Sequence, residues 1–321
     1  MTKKRMANIA RVSEMTKLYN EKKEQALEQS LLESNNNTVS ESVLVNSSVG
    51  SSAITPFKQK DLERLLSIQI GKAFGVYQKH HTEKWYTEDC YFIDCSAGDM
   101  AQNCLTSPQI FLDNLLKFKE SSFPSRLYLI EKTPTIPSEP NTFEKLKNNF
   151  QIYKNKRTIT ARVILRHANM QKCLSQFTPH PYRFGLLYFD PNGFTFEDYE
   201  ALFEFLKGNP RIDVILNINI TQLNRNRPVK KAKGFEKYWD FYLSTLLHRL
   251  NKDYIWIRDN SILDIKSKFT FVMIFGTNMF DYSIGKNNSH FVPIDSVKGQ
   301  AIIQKHNFTK NERKQNGNEQ D

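Results

Sequence analysis

A chain of 321 residues, 39% of them hydrophobic and including 23 Phe and 13 Tyr, has enough apolar material for one sizeable α/β domain with appendages. Its formal net charge of +11 points to a polyanionic partner, most simply DNA or RNA, against the plainer reading of a basic surface with no partner. The four cysteines, Cys90, Cys95, Cys104 and Cys173, form no CxxC pair, which argues against zinc and a disulfide framework and fits a reducing cytoplasm; no run of 18 apolar residues exists to span a membrane, and no apolar segment follows the charged N-terminus as in a signal peptide.

Residues 1–33 are charged and rich in helix formers, with Ile9, Val12, Leu18 and Leu27 only loosely spaced: a basic, partly helical arm whose Lys3, Lys4, Arg5 and Arg11 are candidate nucleic-acid contacts or simply solvated. Residues 34–55 are rich in Asn and Ser and read as a disordered linker. The folded domain is expected over 56–290, opening with a helix at 58–78 that carries Leu62, Leu65, Leu66, Ile68, Ile70 and Phe74 at helical spacing. His80 and His81 point apart on a helix and have no Cys or acidic partner at ligand spacing, so no metal is expected; the basic-aromatic turn through Trp85 and Tyr86 is expected to border a ligand site instead.

The stretch YFIDCSAGDM, 91–100, reads as a short buried strand ending on Asp94, followed by a thin turn through Cys95, Ser96, Ala97 and Gly98. Small residues there let a ligand lie against the backbone, and Gly98 permits a left-handed φ. With Asp94 and Asp99 beside it, the loop suits a ligand bearing hydroxyls and a cationic centre rather than phosphate.

Helix and strand then alternate. A helix at 107–119 leads to a strand at 126–130 closing on Glu131, a Pro-rich loop at 132–140, a helix at 141–153 and a strand at 161–165 that runs into Arg166, His167, Ala168 and Asn169. A very apolar strand at 184–189 ends in Asp190, Pro191, Asn192 and Gly193; a helix at 196–207 is stopped by Gly208, Asn209 and Pro210; a fifth strand covers 213–218. An aromatic-rich helix at 234–250 and an antiparallel hairpin of strands at 254–257 and 269–275 complete the domain, before a basic polar tail at 291–321 with a short strand at 301–303. This order predicts an α/β fold: a doubly wound, mostly parallel sheet of about seven strands with a C-terminal antiparallel hairpin. Such a sheet binds its ligand outside the carboxyl ends of its strands, and Asp94 to Asp99, Glu131, Asn169 and Asp190 to Gly193 all fall at such ends.

Over roughly residues 68–278 the motifs resemble class I S-adenosylmethionine-dependent methyltransferases of Rossmann-like fold. The resemblance implies that Asp94, Ala97, Gly98 and Asp99 wrap the S-adenosylmethionine cofactor, that Glu131 takes the ribose hydroxyls and that Asn169 pairs with the adenine ring. It implies a catalytic motif at Asp190, Pro191 and Asn192, with Phe194 supplying a stacking ring and Trp85 or Tyr86 behind it, as in amino-directed nucleic-acid methyltransferases acting on an exocyclic amine such as adenine N6. The chain departs from that family where Asp99-Met100 replaces the usual Gly-x-Gly and where Asn192-Gly193 replaces the second proline and the aromatic. Asp-Pro-x-Gly is closer to the three-Cys-motif partner proteins, which leaves a protein partner and a catalytically inactive nucleic-acid-binding scaffold open. Asp, Pro, Asn and Gly are also ordinary turn residues. A basic loop at 222–237, with Arg225, Arg227, Lys230, Lys231 and Lys233, is expected at the mouth of the site as a phosphate contact, against a plain solvated charge run.

Overall fold

The computed structural model describes residues 55–83, 86, 89–101, 105–118, 123–132, 141–159, 161–190, 196–219, 246–259, 271–279, 284 and 290–307. In chain order these form α1 (Thr55–His80), β1 (Cys90–Asp94), α2 (Ser107–Leu116), β2 (Ser125–Glu131), α3 (Thr142–Lys156), β3 (Arg162–His167), α4 (Met170–Leu174), β4 (Gly185–Phe189), α5 (Phe196–Gly208), β5 (Ile212–Asn219), β6 (Tyr254–Arg258), β7 (Phe271–Thr277), β8 (Phe291–Pro293) and α6 (Val297–Asn307).

The strands make one sheet in the order β3-β2-β1-β4-β5-β7-β6-β8. β3, β2, β1, β4 and β5 are parallel; β7 runs antiparallel to both β5 and β6, and β8 antiparallel to β6. This is the doubly wound, mostly parallel sheet with a C-terminal antiparallel hairpin that the sequence predicts, with an eighth strand added. β1 is buried along its whole length because both faces are covered. Tyr91 and Ile93 pack on one face with Tyr199, Leu202 and Leu206 of α5, while Phe92 packs on the other with Leu62, Leu66 and Phe111 of α1 and α2. Gly185 is required where β4 starts beside β1. Its φ is +150°, and a Cβ there would lie 1.6 Å from the Tyr91 carbonyl oxygen.

The chain leaves β1 towards β2 and β3 and returns through β4 on the other side, so the β1/β4 boundary is the topological switch point. α1 packs back along the sheet and hands the chain to the amino end of β1, so its own first turns lie at the carboxyl edge. A buried pair between Asp61 and Arg258, at the carboxyl end of β6, fixes it there.

Three expectations change. The expected strand at 301–303 is part of α6, with Ala301 exposed and Ile303 buried at helical phase. The segment read as a polar tail supplies β8, a three-residue edge strand that tolerates Pro293 because its N–H is not needed in the ladder. The turn at 80–83 and Tyr86 lie at the amino edge, away from the carboxyl ends. Tyr86 stacks on Phe184, just ahead of β4, and its hydroxyl is 3.8 Å from Cys90 Sγ. The arm at 1–33 and the linker at 34–54 lie outside the described residues, as do Trp85 and most of the expected helix at 234–250, of which 246–249 is described and helical.

Candidate functional site

The loop after β1 is stitched to both neighbouring strands. Cys95 N–H donates to the Tyr188 carbonyl at 3.0 Å and Ala97 N–H to the Ile130 carbonyl at 3.1 Å. Gly98, at φ +64°, donates its N–H to Glu131 Oε2 at 2.8 Å; a Cβ there would meet nothing within 4 Å, so the space beside the loop is open. Asp99 accepts from Ala101 N–H through Oδ1, and its carbonyl accepts from Asn149 of α3 at 2.9 Å. Met100 holds φ +52° with its side chain buried, so the backbone makes at this position the left-handed turn that a second glycine would ease.

Asp94, Glu131 and Asp190 converge on this loop from the ends of three adjacent strands. Asp94 is completely buried; its Oδ1 accepts Ser96 N–H at 3.1 Å, the Ser107 side chain lies against the carboxyl, and Oδ2 makes no close hydrogen bond. Burial pushes its carboxyl up to about 7; the Ser107 side chain and Ser96 N–H oppose the rise, and Glu131 and Asp190 add to it. Glu131 is also raised, by burial first, against the Gly98 N–H and Lys132. Asp190 N–H donates to Ser96 Oγ at 3.2 Å, tying the end of β4 to the β1 loop. Ala168 N–H donates to the Glu131 carbonyl, which sets Asn169, exposed at the start of α4, one residue beyond. Pro191, Asn192, Phe194 and the basic loop with Arg225, Arg227, Lys230, Lys231 and Lys233 lie outside the described residues.

Three residues not singled out in the sequence complete the arrangement. Lys58, on the first turn of α1, places Nζ 2.8 Å from Asp190 Oδ1 and 2.6 Å from Oδ2, and 5.2 Å from the Phe271 ring centre. Tyr188 donates its hydroxyl to Asp190 Oδ2 at 2.9 Å and accepts from Asn217 Nδ2 at 3.0 Å. Burial, Asp190 and Asp94 raise the Tyr188 phenol well above its ordinary value, so it stays a donor. The available signals were topological: a helix leading into the amino end of β1 begins at the carboxyl edge, and Tyr188 stands two residues before Asp190 on the same strand face.

The groups fit a cofactor with a cationic centre and vicinal hydroxyls. A buried Asp94 oxygen without a close hydrogen bond, two further carboxyl groups and open space beside a left-handed glycine supply acceptors and room. Among the described residues no group of three His, Cys, Asp or Glu is placed to hold a metal, and no helix is long and apolar enough to cross a membrane.

No protein-family model and no curated protein matches the sequence. Among solved structures, protein LPL1258 of Legionella pneumophila matches at 13% identity over 76% of this chain and 90% of its own, with TM-score 0.40. A probable spermidine synthase of Corynebacterium glutamicum matches at 12% identity, 77% and 70% coverage and TM-score 0.37. The methyltransferase domain of human METTL16 matches at 11% identity, 74% and 71% coverage and TM-score 0.33. Likenesses this distant carry no argument about this chain's chemistry; the fold rests on its own strand order.

Proposed function

We propose that this chain is an S-adenosylmethionine-dependent methyltransferase acting on nucleic acid, at an exocyclic amine such as adenine N6. The observation that supports it most is the convergence of Asp94, Glu131 and Asp190 around the 95–99 loop at the switch point. On this reading Ala97, Gly98 and Asp99 line the cofactor, Asp94 faces its amino-acid part, Glu131 accepts from the ribose hydroxyls and Asn169 meets the adenine ring. When bound, the cofactor supplies an electrophilic methyl group. The chain's own task is then positional: to hold the target amine in line and draw on its N–H groups. Asp190 and the Pro191 carbonyl are the acceptors for those N–H groups, and Phe194 is the ring on which a flipped base stacks.

One observation favours a second reading, a catalytically inactive, three-Cys-motif-partner-like scaffold that binds nucleic acid. Both Asp190 oxygens are already engaged by Lys58 and Tyr188, so a target amine must compete with an ammonium for the same carboxylate.

Calorimetry with S-adenosylmethionine, followed by transfer of radiolabelled methyl to mixed DNA and RNA with and without nuclease, separates the readings. Binding plus nuclease-sensitive label supports the enzyme. Binding without transfer supports the scaffold, label in a nuclease-resistant small molecule supports a small-molecule enzyme, and no cofactor binding ends the methyltransferase reading. Asp190→Ala is expected to abolish transfer while leaving cofactor affinity within about threefold, a difference of under 1 kcal/mol. Melting of the domain without a separable loss of transfer would make the 190–193 segment a structural turn.

A further inference from the structure

The flank formed by α3, β3 and α4 carries a concentration of positive charge that the site chemistry does not use. Residues 141–174 hold eight Lys or Arg against Glu144 alone, a net charge of +7. Arg157 pairs with Asp113, and Lys147 lies 3.9 Å from Glu144. Lys145, Lys154, Lys156, Arg162, Arg166 and Lys172 are all exposed and have no carboxylate partner among the described residues. The charge is not a uniform property of the surface. α5 packs on the sheet face opposite α3, the face that also carries α4 and the Arg162–Ile164–Arg166 side of β3, and presents Glu197, Asp198, Glu200 and Glu204 against Lys207, so the cations are concentrated around the β3 edge and not along the whole of that face.

Charged side chains on an edge strand guard against edge-to-edge pairing, and β3 is such an edge. That accounts for Arg162 and Arg166, which share one face of the strand, but not for the four lysines on α3 or for the near absence of acids. The flank also leads into the candidate site. His167, the last residue of β3, stands opposite Glu131 in register and stacks on Phe143 of α3 with ring centres 4.5 Å apart and planes within 4°. Exposed ring surface thus lies between the cationic flank and the candidate ribose carboxylate.

We infer that the α3–β3–α4 flank, which wraps the β3 edge of the sheet from one face to the other, is a phosphate-binding edge that grips a nucleic-acid backbone and leads it to the carboxyl ends of the strands. The inference rests on the nucleic-acid part of the function proposed above and not on methyl transfer. The flank is about 20 Å long, by about 1.5 Å per helical residue and about 3.3 Å per strand residue, and so faces about six steps of duplex at about 3.4 Å each.

The test uses the full chain with a fluorescein-labelled 30-base-pair DNA duplex and a single-stranded RNA of equal length, titrated between 50 and 200 mM KCl. Two variants each neutralise three charges: Lys145, Lys154 and Lys156 to Gln in one, Arg162, Arg166 and Lys172 to Gln in the other. Each lost duplex contact lowers the slope of log affinity against log salt by about 0.9, or about 0.7 for a single strand. With two of three residues in contact, each triple variant is expected to lower the duplex slope by about 2 and to weaken binding about 100-fold at 0.1 M salt. The single reversal Arg166→Glu gives the same sign should a triple variant fold poorly. Replacing Arg225, Arg227, Lys230 and Lys231 with Ala serves as the comparison.

Unchanged slopes in both triples and in Arg166→Glu, with the loss confined to the 225–231 variant, overturn the inference. So does a poly-aspartate chain that competes as well as the duplex, which would make the flank a dock for an acidic protein. Calorimetry with S-adenosylmethionine on the same proteins keeps the two proposals apart. A parent that binds duplex or RNA but not the cofactor leaves the flank standing and removes the methyltransferase; a parent that binds the cofactor but neither nucleic acid does the reverse.

Discussion

Replacing Lys58 with Met tests whether the α1 cation is part of the site. Met keeps most of the apolar stem and removes the charge that bridges both oxygens of Asp190. The two side chains are 19% and 26% exposed, between the limits for which magnitudes are known. Breaking a fully buried pair by removing one partner costs about 3–5 kcal/mol, and an exposed pair contributes about 0–1 kcal/mol. A mostly buried pair whose carboxylate keeps the Tyr188 hydroxyl belongs near about 2 kcal/mol, or about 4–8 °C in melting temperature for a domain of this size. Urea unfolding of Lys58→Met, Asp190→Asn and the double variant is expected to give a coupling of about 1–2 kcal/mol, because the second change costs little once the first is made. Lys117→Met is the control: its contact with Glu63 is 3.7 Å long and about half exposed, and its loss should cost under about 0.5 kcal/mol. Lys58→Met no more destabilising than Lys117→Met, or a coupling near zero, would refute the reasoning and leave the pair an incidental contact.

Glu131→Gln should fold normally, since the amide oxygen can still accept Gly98 N–H, yet bind S-adenosylmethionine tenfold to a hundredfold more weakly for about 1.5–3 kcal/mol of lost charge-assisted bonding; calorimetry matching the parent would remove Glu131 from the ribose. Between about pH 4 and 7, Asp94, raised to about 7 by burial, keeps its proton in the folded state where the unfolded chain has released it. Its contribution to stability is therefore full below about pH 4 and lost as pH rises through about 7, and the parent should lose up to about 4 kcal/mol relative to Asp94→Asn across that window in urea titrations at each pH. A parallel pH dependence in the two proteins would contradict the buried-acid assignment. Gly185→Ala should cost more than about 3 kcal/mol or prevent folding, because its Cβ would fall on the Tyr91 carbonyl; a thermal melt within about 2 °C of the parent would refute that close approach.

The acidic strand ends could be read in the sequence because parallel strands buried on both faces are unbroken apolar runs, and a carboxylate at the end of one is a conspicuous break. FID before the small loop and LIE before Lys132 are such breaks, and the structure sets Gly98 N–H on Glu131 across them. Met100 looked like a defect in the loop, but the residue type hid a backbone at φ +52° that its buried side chain holds in place. Lys58 was not legible, since a lysine on an amphipathic helix is ordinarily solvated and its partner lies 132 residues away. Tyr86 was misplaced for a related reason. Nearness in sequence to β1 suggested nearness to its site, whereas the residues just before a strand enter at its amino end. The β8–α6 segment was obscured by a strand of three residues containing Pro293 and by the short apolar run 301–303, which fits either period.

The electrostatics of the edge explain why substrate grip and chemistry should be separated in space on the proposed reading. Asp94 is buried with one oxygen that makes no close hydrogen bond, and Glu131 and Asp190 stand close enough to raise its pKa. A fold with only structural needs gains nothing from that arrangement, since an apolar side chain of similar size would be stabilising there. Lys58 answers part of the negative charge at Asp190, and a cationic ligand against the 95–99 loop would answer more. The same carboxylates repel phosphate, so a polyanion cannot be held at the centre of the site. It has to be gripped to one side, with only a base edge presented to Asp190. The α3–β3–α4 flank and the 222–237 segment carry cations suited to that grip, and they belong to the strands on either side of the carboxylates: the flank is built around β3, beyond Glu131, and the segment follows β5, beyond Asp190.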